Sequence, residues 1–144
     1  MMNSRASHVG YKETLFHKYH KEYNRYLRLF GKERYLSESN SMSVRFGSLK
    51  NGMIGVCYYL FNEIEIDRKY WNEATLAGKE ELFFHEMSHC VLKKDHTDPV
   101  SIMQSHGVIR EEYYIMNYSK LINQLFDCQT IDCHAIIWDE GKYK

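Results

Sequence analysis

Proline occurs once in 144 residues, and Lys plus Arg equals Asp plus Glu at 19 each. That balance leaves no net field to draw in nucleic acid or an anionic membrane surface. No apolar run approaches the roughly 20 residues a membrane span needs. Residues 1–14 lack the apolar core of a secretory signal. The expectation is a soluble chain, cytoplasmic by default and secreted if a leader has been removed. Repeats and low-complexity tracts are absent. The four cysteines, Cys57, Cys90, Cys128 and Cys133, form no CxxC, which argues against a thiolate zinc site. Cys128 and Cys133 are close enough to bridge locally in an oxidising compartment. Cys57 and Cys90 read as small apolar core residues, the usual place of free cysteine.

What is present suits one folded domain over residues 1–144, with a core of about 11–126 and an unassigned tail at 127–144. Apolar residues make up 44%, aromatics 15% and charged residues 26%, a folded rather than a disordered composition. Residues 11–30 carry Phe16, Tyr19, Tyr23, Leu27 and Phe30 at steps of three and four, a helical face. His17 and His20 on that helix read as solvated or core residues. Gly31 and the polar run 37–41 end the helix and lead to strands. Met42, Val44 and Phe46 alternate, Asn51-Gly52 signals a hairpin, and residues 54–61 return. Ile64 and Ile66 alternate with Glu63, Glu65 and Asp67. A helix follows over 76–93, with Thr75 as N-cap; Glu80, Glu81, Lys93 and Lys94 match its dipole. A last helix over 108–126 turns Ile115, Tyr118, Ile122 and Leu125 inward. The fold class expected is α+β: an N-terminal helix, a small and mostly antiparallel sheet, a central helix and a closing helix.

The chemistry is concentrated in residues 83–103, FFHEMSHCVLKKDHTDPVSIM. At roughly 100° per residue, His85 and His89 lie about 40° apart on the helix surface and one turn from each other, so both imidazoles can reach one cation. Glu86 points about 100° away from His85, poorly placed to ligate but close enough to touch a water on the metal. That is the physical basis of HExxH as a zinc motif, two neutral nitrogens on Zn²⁺ and a carboxylate as base. The helix is apolar nearly all round and therefore buried, and buried polar groups need partners. A third ligand is within reach in Asp95 or His96, after which Ser101-Ile102-Met103 follows a short loop.

HEMSHCVLKKDH followed by SIM resembles the metzincin zinc endopeptidases. Their pattern is HExxH, a glycine turn, a third ligand and a methionine turn beneath the zinc. The likeness is closest to small, poorly characterised bacterial proteins of this type, in which an IxIDxxYW-like segment leads into an FHExxHC helix; IEIDRKYW and FFHEMSHC stand here. The resemblance covers about residues 42–126. Two departures are plain. Leu92 stands where the turn glycine belongs, and the usual ligand spacing falls on Asp95, as in snapalysin-like enzymes, with His96 one residue further. Imidazole is the commoner ligand, so His96 is favoured, with Asp95 as the alternative.

The resemblance implies a zinc-dependent endopeptidase with one Zn²⁺ per chain on His85, His89 and His96, Glu86 as general base and Met103 as a packing residue of the Met-turn. His106, Tyr113 and Tyr114 are candidates to approach the cleft. The implied partner is a peptide or protein substrate, laid along a strand edge at residues 63–67; no nucleic acid, membrane or second copy is expected. Three other readings stand beside it: a regulatory HExxH metallopeptidase cutting one dedicated protein, a non-catalytic zinc-stabilised binding module, and a structural protein without metal.

Overall fold

The computed structural model describes residues 15–97, 100–105 and 107–127. Helix α1 (His17–Leu29) is followed by a 3-10 turn (Glu33–Tyr35) and helix α2 (Leu36–Ser41). Strands β1 (Ser43–Gly47) and β2 (Gly55–Tyr58) come next, then a 3-10 turn (Tyr59–Phe61) and strand β3 (Glu63–Asp67). Helices α3 (Arg68–Glu73), α4 (Leu76–Cys90), α5 (Glu111–Met116) and α6 (Tyr118–Leu125) complete the α+β fold. No helix among the described residues is long and apolar enough to cross a membrane.

The sheet order is β1-β3-β2, with β1 parallel and β2 antiparallel to β3. This corrects the hairpin expected at Asn51-Gly52 and makes the sheet mixed. Both turn residues do take positive φ, 61° and 75°, but Ile54 O accepts from Asp67 N at 2.8 Å, and β3 lies between the two earlier strands. Side-chain chemistry favours that insertion. Glu65 on the central strand meets Arg45 of β1 at 3.0 Å and receives the Tyr58 hydroxyl of β2 at 2.8 Å. The opposite face carries Ile64 and Ile66, both fully buried. Residues 63–67 are thus a central strand with both edges taken, and among the described residues the outer strands are β1 and β2, with β2 on the side of the cleft.

Three helical expectations also change. The polar run 37–41 is helical, because Ser39 is buried beneath His20, whose Nε2 lies 3.0 Å from Ser39 O. Asp67 caps an unforeseen helix α3 by accepting from Tyr70 N at 3.1 Å. The closing helix breaks at Asn117 into α5 and α6. Tyr118, Ile122 and Leu125 are buried as expected, and residues 128–144 lie outside the described residues, Cys128, Cys133 and His134 among them.

Helix α4 runs through the middle. Thr75 Oγ1 caps it by accepting from Gly78 N at 3.1 Å. Phe83, Phe84 and Met87 are fully buried against the aromatic face of α1; Phe83 stacks near Phe16, and Phe84 meets Tyr23 edge-on. Tyr23 reaches across to Ser88 Oγ at 3.0 Å, so a phenol pays its burial with a bond into the same helix. Cys57 and Cys90 correct the sequence reading: they are joined by a disulfide, Cα to Cα 5.8 Å. Cys57 sits on the sheet face turned to α4, and Cys90 ends that helix, so the topology brings them together across 33 residues of sequence. On the chain-entropy account, closing a loop of that size contributes about 3–4 kcal/mol. The double substitution Cys57→Ser/Cys90→Ser should lower the melting temperature by roughly 10 °C, and reductant should do the same to the parent but not to the variant, as read by scanning calorimetry.

Candidate metal centre

His85 and His89 lie on successive turns of α4 and face a cleft of about 650 Å³. Its other wall is β2 with Gln104, Ser105, Gly107 and Val108, and Gly55 and Tyr59 are also in the lining. The chain leaves α4 through Lys93, whose φ of 57° takes the place of the missing turn glycine. A left-handed non-glycine residue costs about 1–2 kcal/mol. Offsetting bonds are at hand: Lys94 N donates to Ser88 O at 3.1 Å, and Lys93 Nζ reaches Glu38 and Cys90 O. The returning loop is closed by Thr97 N to Met103 O at 2.8 Å and Gln104 N to Ser101 O at 3.1 Å.

That loop supplies two carbonyls and one imidazole. His85 Nδ1 donates to Ile102 O and His89 Nδ1 donates to Lys94 O, each at 2.6 Å. A carbonyl can only accept, so both Nδ1 atoms carry the proton and both Nε2 atoms present lone pairs. His85 Nε2 lies 3.2 Å from His89 Nε2 and 3.3 Å from His96 Nε2. His85, His89 and His96 form the metal-capable group among the described residues, with ligand atoms within 4.8 Å of one another. Burial holds the His85 imidazole down to about pKa 4, with the other two rings adding to the effect and the Ile102 carbonyl opposing it. Burial lowers His89 as well. Neutral imidazoles are the form that binds a metal.

Glu86 lies outside this trio, 5% exposed, with Oε2 3.9 Å from His85 Nε2. Burial raises its carboxyl to about 8. It fits only because residue 55 is glycine: a Cβ there would stand 2.9 Å from both Glu86 Cγ and Oε2. Ile102 and Met103 are both buried, and Ile102 carries the carbonyl that meets His85. Asp95 is exposed and is not one of the clustered ligands, although its charge reaches His89 and opposes the effect of burial there. Tyr113 and Tyr114 are not brought to the cleft: Tyr113 is at the surface, and Tyr114 is buried with its hydroxyl donated to Glu80 at 2.7 Å. His106 lies outside the described residues.

Sequence reasoning missed Gly55 and Glu81. Glu81 lines the cleft, 3% exposed, and accepts from Ile109 N at 2.8 Å. Burial raises it to about 8, against that hydrogen bond. Two adjacent glutamates in an otherwise apolar helix were the available signal; the dipole reading of Glu80 and Glu81 is replaced by burial and specific partners.

The family model described as "Putative phage metallopeptidase" matches residues 12–128. No curated protein and no solved structure matches.

Two outcomes follow from the geometry. His96→Ala should weaken zinc binding at least about tenfold, while Asp95→Ala should change it little; competition with a chromogenic chelator reads both. In the metal-free protein, Glu81 and Glu86 bind their protons more tightly folded than unfolded, so stability should fall as pH rises from about 4.5 to about 8. Glu81→Gln should flatten that slope in urea titrations run across the range.

Proposed function

Because the chain belongs to the family described as "Putative phage metallopeptidase", we propose that it is a zinc endopeptidase with Glu86 as its general base. The observation that carries the reading is the convergence of three Nε2 atoms, those of His89 and His96 lying 3.2 and 3.3 Å from that of His85, with the buried Glu86 carboxyl 3.9 Å from His85 Nε2. A tetrahedral ion with zinc–nitrogen bonds of about 2.0–2.1 Å requires its ligand atoms about 3.3 Å apart. His85, His89 and His96 would hold the metal and leave one position open to the cleft. The turn at Ser101-Ile102-Met103, with Ile102 and Met103 buried and the Ile102 carbonyl on His85, supports the metzincin likeness.

Zinc bound there would acidify a water and polarise the carbonyl to be attacked. Glu86 takes the proton of the attacking water. Its raised affinity for a proton suits it to take that proton, which then goes to the leaving amine. The Ile102 and Lys94 carbonyls keep His85 and His89 in the ligating tautomer throughout. An extended peptide has a place along the outer edge of β2, where main-chain groups are available for strand addition. Gly55 at the start of that edge lets the peptide backbone and Glu86 approach each other without an intervening side chain.

Purified protein is expected to carry about one zinc per chain by elemental analysis. Glu86→Gln keeps the shape and loses the basicity. It should retain zinc and cleave slower by the roughly 10²–10⁴-fold that general base catalysis contributes, read by comparing new N-termini in a proteome exposed to both forms. Zinc retention with no cleavage by either form would favour a zinc-stabilised binding module.

A further inference from the structure

Glu81 is the buried carboxylate that the proposed chemistry leaves unused. It precedes His85 by one helical turn and borders two cavities. One is the histidine cleft; the other, of about 260 Å³, lies between the start of α4 and residues 108–111. Glu81 and Val108 belong to both linings, so the smaller cavity adjoins the cleft as a side pocket. Tyr70, Ala77, Arg110 and Tyr114 also line it.

The buried acid in this pocket has no basic partner among the described residues: no lysine or arginine pairs with Glu81, whose Oε2 accepts from the Ile109 N–H. Among the described residues no lysine or arginine lines the cleft. Arg110, at the pocket, is turned to Glu112 at 2.8 Å with both side chains largely in water. Glu111 adds a second carboxylate. A buried carboxylate with one backbone donor pays for its desolvation poorly. An arriving ammonium or guanidinium would complete it with a charge-assisted bond, the strong kind. An apolar side chain in the same place would leave it unpaired, which is discrimination against the wrong occupant as well as attraction of the right one.

We infer that this side pocket is the specificity site of the enzyme and takes the side chain of a basic residue, lysine or arginine, beside the bond to be cut, with Glu81 as its counter-ion. The inference rests on the peptidase reading. The aliphatic stem would pass Val108 and Ala77, as long cationic side chains do along apolar walls, and Tyr70, close enough to feel the Glu81 charge, lines the same pocket.

The test uses the zinc-loaded full chain and four amino-acid hydroxamates, those of lysine, arginine, leucine and glutamate, with acetohydroxamate as the side-chain-free reference. The hydroxamate chelates zinc, so titration calorimetry reads the side chain's contribution without any turnover. Lysine and arginine hydroxamates should bind at least about tenfold tighter than leucine hydroxamate, the range of a hydrogen bond to a charged group, and glutamate hydroxamate weakest. Glu81→Gln should erase the ranking and leave zinc content and acetohydroxamate binding unchanged. Val108→Lys, which sets a competing cation at the pocket mouth, should do so independently. Equal binding of the lysine and leucine probes, or a lysine preference that survives both substitutions, would overturn the inference. Digestion of a proteome-derived peptide library, run in parallel, separates the two readings: cleavage without a basic preference sinks the pocket alone. No cleavage at all sinks the peptidase, while the hydroxamate ranking still decides the pocket. A chain that takes up no zinc overturns both.

Discussion

Three imidazole nitrogens whose lone pairs face one another repel unless a cation lies among them, and much of this fold serves to hold them so. Two of the rings are locked in that state by Nδ1–H bonds to Ile102 O and Lys94 O, and burial keeps His85 neutral far below its usual range. Both carbonyls, and the third ring, come from the loop after α4. That loop can turn back only because Lys93 accepts a left-handed conformation. Secondary structure, loop strain and ring tautomer are thus consequences of one requirement, a set of neutral donors aimed at a common point.

The wall opposite the histidines obeys a second constraint. Strand β2 must come close to α4, and Gly55 and the Cys57–Cys90 link both act on that approach. Gly55 gives the Glu86 carboxylate its room, and the disulfide ties the outer strand β2 to the helix one residue after His89. The result is a dry site for a carboxylate, in which the charged form is disfavoured and proton affinity is high. Glu80 and Glu81, on the same helix, are buried by the same packing, and each takes a donor from the segment that follows the loop.

The periodic parts of this structure were legible in the sequence: the aromatic face of α1, the Ile64 and Ile66 alternation, the Thr75 cap and the HExxH face of α4. Each is a local pattern with a local physical cause. His96, favoured on imidazole chemistry while the spacing left Asp95 open, comes within 3.3 Å of His85 Nε2. What was not legible depends on contacts distant in sequence. The Asn51-Gly52 turn does bend the chain, but nothing local says that β3 will enter between β1 and β2. The pairing of Cys57 with Cys90 carries no spacing signature. Gly55 owes its role to a side chain 31 positions away, and Tyr114 spends its hydroxyl on Glu80 rather than on the cleft.

The claim on which the account turns is that three imidazoles, and no carboxylate or thiolate of the chain, hold one zinc ion. X-ray absorption at the zinc edge of the loaded protein tests it most directly. The account predicts four light-atom ligands at about 2.0–2.1 Å with outer-shell scattering from three imidazole rings and no sulfur. A first shell with a sulfur at about 2.3 Å, or outer-shell scattering from only two rings, would contradict it.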